Sequence, residues 1–119
     1  MHRGDVYLVS LQLPNRTSSP SRYESRDKLV VILQGGPDFA SVTDVAVAVA
    51  SSRRGDRPVR SFEVLAGQNE GFQHESLIDC RWPYTLPKSQ VQGGRFLFTL
   101  PADTMRMVSL ALVRGLQMS

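Results

Sequence analysis

A chain of 119 residues, 41% hydrophobic and 21% charged, can build one globular core but is too short for two, so residues 1–119 are expected to form a single domain. Its formal charge of +3 permits a polyanionic partner without requiring one. No run of about 18 apolar residues could span a membrane, and the single cysteine, Cys80, excludes an internal disulfide. The N-terminus enters a strand pattern at once, without a signal-peptide apolar segment, and a cytoplasmic location is expected.

Arg3-Gly4-Asp5 is turn chemistry, and Val6 to Leu11 is a β-branched, aromatic and leucine-rich run that reads as a first strand. Leu13 to Asp27 is rich in Pro, Ser, Asn and Arg and reads as a long loop. Leu29 to Leu33 is a continuous apolar run, a strand buried on both faces, stopped by Gly35-Gly36-Pro37. Val45 to Ala50 alternates valine with alanine, so the odd-numbered valines should enter the core while the alanines allow close packing behind them. Phe62, Val64 and Leu65 predict a fourth strand, Leu77 to Trp82 a fifth, and Arg95 to Phe98 a sixth. The last element is a helix from Pro101, with Thr99 the better capping side chain and Asp103 at its positive end. Met105, Val108, Leu112 and Leu116 form its apolar stripe, widened by Met107, Leu110 and Val113. The expected class is therefore mainly β with a C-terminal helix, a small SH3-like antiparallel barrel of about six strands.

Several chemistries find no support. His2, His74 and Cys80 share no metal-ligand spacing, the glycine pairs are turns and not phosphate loops, and no Gly-x-Ser-x-Gly elbow is present. No metal and no cofactor are expected. Cys80 within a strand reads as a buried, inert thiol. What stands out is the grouping of cations. Arg16, Arg22, Arg26 and Lys28 lie in or beside the first loop, and Arg53, Arg54, Arg57 and Arg60 in a second. Such loops suit phosphates, although solvated surface arginines have the same pattern.

The residues 3–11, the apolar run from Lys28 to Leu33, Val47-Ala48-Val49-Ala50-Ser51-Ser52, Phe62-Glu63-Val64-Leu65, Ile78-Asp79-Cys80-Arg81 and the helix of 101–116 occur in an order that resembles the MazF/PemK (Kid-like) family of toxin endoribonucleases. The opening motif is fairly specific, and the later ones persuade by their order. The resemblance implies a CcdB-type barrel and metal-independent transphosphorylation of single-stranded RNA. It also implies a homodimer and a cognate antitoxin. Three positions depart from the family pattern. Lys28-Leu29 stands where the family has Arg-Pro, with Arg26 two residues earlier. Ser51 stands for threonine, without the preceding proline. Cys80 replaces glutamine, and Trp82-Pro83-Tyr84 reads as an insertion.

RNA cleavage of this kind needs a base for the 2′-hydroxyl, an acid for the 5′-oxygen, and cations or hydroxyls around the phosphate. Carried onto this sequence, the resemblance gives Glu24 as base, Arg26 and Lys28 as phosphate stabilisers, Ser51 as hydroxyl donor and Arg81 as a second cation. Arg22, Tyr23, Ser52, Arg53, Arg54, Arg57 and Lys88 are the candidate RNA contacts, and Trp82 and Tyr84 could stack on bases. The competing expectations are a non-catalytic CcdB-like poison or inactive homologue acting by protein binding, and a purely structural SH3-like barrel.

Overall fold

The computed structural model describes residues 1–14 and 23–117, and side chains for all of these except 13–14 and 23–25. The strands are β1 (Asp5–Pro14), β2 (Tyr23–Ile32), β3 (Asp44–Ser52), β4 (Glu63–Ala66), β5 (Ser76–Pro87) and β6 (Arg95–Thr99), and the helices α1 (Lys88–Gln92) and α2 (Ala102–Leu116). All six strands join one antiparallel sheet in the order β4-β5-β3-β2-β1-β6, curled into a half-barrel.

Both faces of the sheet are covered, which explains the uninterrupted apolar run of β2. On one face Val6, Val31, Ala48, Ala50, Ile78 and Cys80 pack under Met105, Val108 and Ala111 of α2. The small side chains at 48 and 50 let the helix come close. At its C-terminal end the approach becomes backbone against backbone, since a Cβ on Gly115 would sit 2.8 Å from the Cys80 carbonyl oxygen. On the opposite face Val9, Leu11, Val30, Ile32, Val45 and Val47 bury Val91 of α1. The odd valines and even alanines of β3 thus serve different cores, as their alternation predicts.

The Arg-Gly-Asp opening is a structural clasp. Gly4 has φ +93°, and its N–H donates to the Ile32 carbonyl at 2.8 Å while its own carbonyl accepts from Leu100 N–H at 2.9 Å. Glycine is required there by the positive φ. Asp5 is buried and accepts from the Thr99 hydroxyl at 2.7 Å and the His2 N–H at 2.7 Å. Arg3 donates to Ser109 of α2. The first five residues therefore join β1, β2, β6 and α2.

Three expectations need correction, and a fourth gains a structural form. The loop expected from Leu13 to Asp27 is shorter, because β1 and β2 pair continuously out to Pro14 and Tyr23. Trp82-Pro83-Tyr84, read as an insertion, lies in β5 where its register to β3 shifts: Val47 pairs with Tyr84 and Val49 with Asp79, so β5 carries three extra residues over that stretch. Pro83 falls in that irregular stretch, where its missing N–H breaks no regular rung. Thr99 does not cap α2: its hydroxyl is held by Asp5, and Pro101 is the N-cap residue without a side-chain cap. Leu116 leaves the apolar stripe at 77% exposure, and Met107, Leu110 and Val113 are exposed as well.

Cys80 is fully buried, and burial, with a smaller contribution from Asp79, pushes its thiol up to about 12. The thiolate is the reactive form, so native protein at pH 8 is expected to resist a thiol-specific reagent that labels the urea-unfolded chain within minutes. Labelling at equal rates would contradict the packing of Cys80 beneath α2.

Candidate active site

Strand register brings the basic and hydroxylic candidates together. The β2–β3 ladder ends at Leu29↔Ala50, while β1–β2 pairing continues to Pro14↔Tyr23. Extended one residue beyond its last paired rung, the β2–β3 register sets Lys28 opposite Ser51, with their side chains on one face. Lys28 is half-buried and Ser51 exposed. Arg26 lies two residues along β2, on the same face, with its backbone paired to Leu11. Glu24 is two residues further and pairs with Leu13, but its side chain lies outside the described residues, as do the side chain of Tyr23 and the whole of Arg22.

The second basic loop is folded by its own carboxylates. Arg53 is anchored through Nη1 to Glu75 at 2.8 Å and through Nε to the Arg57 carbonyl at 2.9 Å. Arg57 makes a two-pronged bond to Glu63, at 3.1 and 2.6 Å. Arg54 is exposed. Glu63 faces Asp79 across β4 and β5, a like-charge pairing that would be unfavourable alone. Arg57 answers the first carboxylate, and Arg81 Nη2 stands 4.0 Å from the second.

Burial pushes Glu63 up, but the Arg57 hydrogen bonds, the Arg60 backbone N–H and both arginine charges outweigh it, leaving the carboxyl below its ordinary range. A carboxylate whose folded value is depressed stabilises the protein above the unfolded value and loses that contribution as pH falls through the folded one. Glu63→Gln is expected to cost about 1 kcal/mol at pH 7. The gap to wild type should close as pH drops below about 4.3, the unperturbed glutamate value. Urea titrations at pH 7 and pH 3 check it, and a gap that persists at pH 3 would count against the ion pair.

Two candidates stand apart from the Lys28–Ser51 pair. Ser51 pairs with Leu77, so Arg81 is four residues, roughly 13 Å, further along β5. Its guanidinium lies between two rings, 4.7 Å from the Phe62 centroid and 5.3 Å from that of Trp82. Its Nε is buried without a hydrogen-bond partner among the described residues. Lys88 begins α1 at the other end of β3, roughly 23 Å from Ser51. It lies 3.8 Å over the Phe39 ring and donates to the Phe39 carbonyl. Trp82, 64% exposed, belongs to no core cluster and offers its free ring face to solvent; Tyr84 is exposed too.

A family model for PemK-like, MazF-like toxins of type II toxin-antitoxin systems matches residues 2–116. The chain belongs to this family. Among solved structures, this PemK/MazF-like chain is similar to an endoribonuclease from Mycobacterial species, with TM-score 0.73 and 19% identity over 98% of this chain and 90% of that one. It is also similar to Mycobacterium tuberculosis toxin MazF-mt6, with TM-score 0.70 and 20% identity over 97% and 98% of the two chains. The MazE-MazF structure from Deinococcus radiodurans gives TM-score 0.65 and 19% identity over 100% and 97%. These likenesses establish a shared fold. No curated protein gave a significant sequence match.

Leu8, His74 and Arg95, none of them a candidate from the sequence, line one cavity. Each is unremarkable in its own segment, and they meet only through sheet order.

Proposed function

We propose that this PemK/MazF-like toxin is a metal-independent endoribonuclease of single-stranded RNA. The observation that carries the proposal is the placement of Lys28 and Ser51, a cation and a hydroxyl on one face, each one residue past the last rung of β2 and β3. The Lys28 ammonium would neutralise a non-bridging phosphate oxygen, and the Ser51 hydroxyl would donate a hydrogen bond to another. Attack of the ribose 2′-oxygen forms the new P–O bond as the P–O5′ bond breaks and the leaving 5′-oxygen takes a proton from solvent water, giving a 2′,3′-cyclic phosphate and a 5′-hydroxyl. Glu24 is the assigned acceptor of the 2′-hydroxyl proton, and Arg26 adds positive charge beside it. Arg81 joins as an RNA contact through the Trp82 stack, with Arg22, Tyr23, Ser52, Arg53, Arg54, Arg57 and Lys88 the further contacts assigned to the strand.

Solved neighbours include an endoribonuclease with its cognate antitoxin and a MazE-MazF assembly, which supports a cognate antitoxin as the protein partner here. A homodimer, a single domain over 1–119 and a cytoplasmic location complete the proposal. Among the described residues no helix is long and apolar enough to cross a membrane.

Purified protein incubated with unstructured RNA in excess chelator tests the reaction. Fragments ending in cyclic phosphate are expected. Intact RNA together with toxicity on expression would replace the nuclease with a protein-binding poison.

A further inference from the structure

The strand ends that present Lys28 and Ser51 on one face present a cavity on the other. Leu29 and Ser52, the next residues along β2 and β3, point the opposite way because side chains alternate. They line a half-open pocket of about 470 Å³, within the range of about 300–1,000 Å³ usual for small-ligand sites. Leu8, Leu29 and Phe98 contribute its apolar surface, and Ser52, His74 and Arg95 its polar groups.

The wall is specifically built. The Phe98 ring meets Phe72 edge-on, with centroids 5.0 Å apart and planes at 84°. It lies so close to the loop before β5 that a Cβ on Gly71 would be 2.5 Å from it, and Gly71 has φ +118°. Glycine is needed there on both counts. The result is a slot with leucines and two phenylalanine rings, an imidazole, two hydroxyls, an amide and one guanidinium. That combination suits a flat, edge-polar group carrying an anion, which is a nucleobase with its phosphate.

Placement favours RNA over a peptide. Beyond Leu29↔Ala50 the β1–β2 arm continues without β3, leaving a notch between the arm and the ends of β3 and β5. Lys28 and Leu29, and likewise Ser51 and Ser52, are consecutive residues facing opposite sides of that notch. A single strand with its phosphate on Lys28 and Ser51 can turn through the notch and lodge its neighbouring base behind. We propose that the pocket is a base-selecting subsite for the nucleotide next to the scissile phosphate. Arg95 holds that nucleotide's phosphate, and His74 and Ser52 read the edge of its base. The proposal rests on the RNA-cleaving function and deepens it.

The test maps cut sites in a random-sequence RNA pool for wild type, His74→Ala, Arg95→Ala and Leu97→Trp, the last filling the cavity from its rim. Binding of an uncleavable 2′-O-methyl oligonucleotide pool is measured in parallel, with thermal melting to confirm that each variant is folded. His74 and Arg95 are exposed, so their variants keep the test valid if Leu97→Trp fails to fold. Discrimination at one position beside the cut is expected to fall about tenfold, with other positions unchanged. Unaltered preference at every position would overturn the subsite, as would variants that select RNA normally and lose only antitoxin affinity. Wild type that binds the oligonucleotides with the pocket-dependent preference but never cuts would retain the subsite and remove the nuclease. Wild type that neither cuts nor binds would remove both.

Discussion

Replacing Lys28 with alanine is expected to lower RNA cleavage by about 10²–10³-fold, the usual cost of removing one preorganised stabiliser of transition-state charge. Lys28 is half-buried where the β2–β3 ladder ends, and its side chain makes no hydrogen bond or ion pair among the described residues. Among the described residues no carboxylate pairs with its ammonium. Stability should change by no more than about 0.5 kcal/mol, as for other surface substitutions, so the loss would be chemical and not conformational. Lys28→Arg should match or exceed wild type, since a planar guanidinium engages two phosphate oxygens where an ammonium engages one point. The Lys28→Ala, Ser51→Ala double variant should lose less than the product of the two single losses, because both groups serve one phosphate. Initial rates on a fluorogenic RNA with chelator present decide the matter. Full activity in Lys28→Ala would move the phosphate elsewhere.

The second large effect is on folding. Asp5→Ala is expected to destabilise the protein by about 2–4 kcal/mol, since it removes a buried carboxylate that accepts two hydrogen bonds. Charge-assisted bonds are the stronger kind, and these two join β1 to β6 and to the N-terminal turn. Asp5→Asn should recover part of the loss, because its amide oxygen still accepts one bond. Urea midpoints with unchanged slopes would establish the value. Cleavage per folded molecule should be unaltered. A change below about 0.5 kcal/mol, the ordinary surface range, would mean that the clasp is dispensable.

These two residues lie close in sequence order to the features that made the chain readable, yet they were legible to different degrees. The opening turn and strand were clear because Gly4 and Asp5 precede a β-rich run, and local chemistry alone marks such a start. That Asp5 would reach Thr99 was not, because the partners are 94 residues apart. The β1–β2 arm was misread as loop from Leu13 to Asp27. Its serines, arginines and aspartate lack an apolar period, and pairing to β1 supplies the hydrogen bonds that composition cannot report. The insertion read at Trp82-Pro83-Tyr84 coincides with the extra residues of β5. A proline argues against a regular rung, but β5 shifts register there, and the irregularity accommodates it.

For the site, residue type was enough to nominate Lys28, Arg26 and Ser51, and strand register then set Lys28 opposite Ser51. Charge counting could not tell Arg54, which is exposed, from Arg53 and Arg57, which Glu75 and Glu63 hold. Nor could it foresee Arg81 stacked between Phe62 and Trp82. The helix stripe shows the same division. Met105 and Val108 are buried as their period implies, but Leu116 is not, because α2 meets the sheet along a narrow face that ends at Gly115.

Periodicity, turn residues and motif order were sufficient for the mainly β class, the number of strands, the C-terminal helix and the family, because each depends on neighbours within a few positions. Which cations are paired, which strand faces carry the phosphate site and the cavity behind it, and where the first five residues anchor depended on the packed chain. Register and strand order bring together groups that are distant in sequence, and no local pattern carries that information.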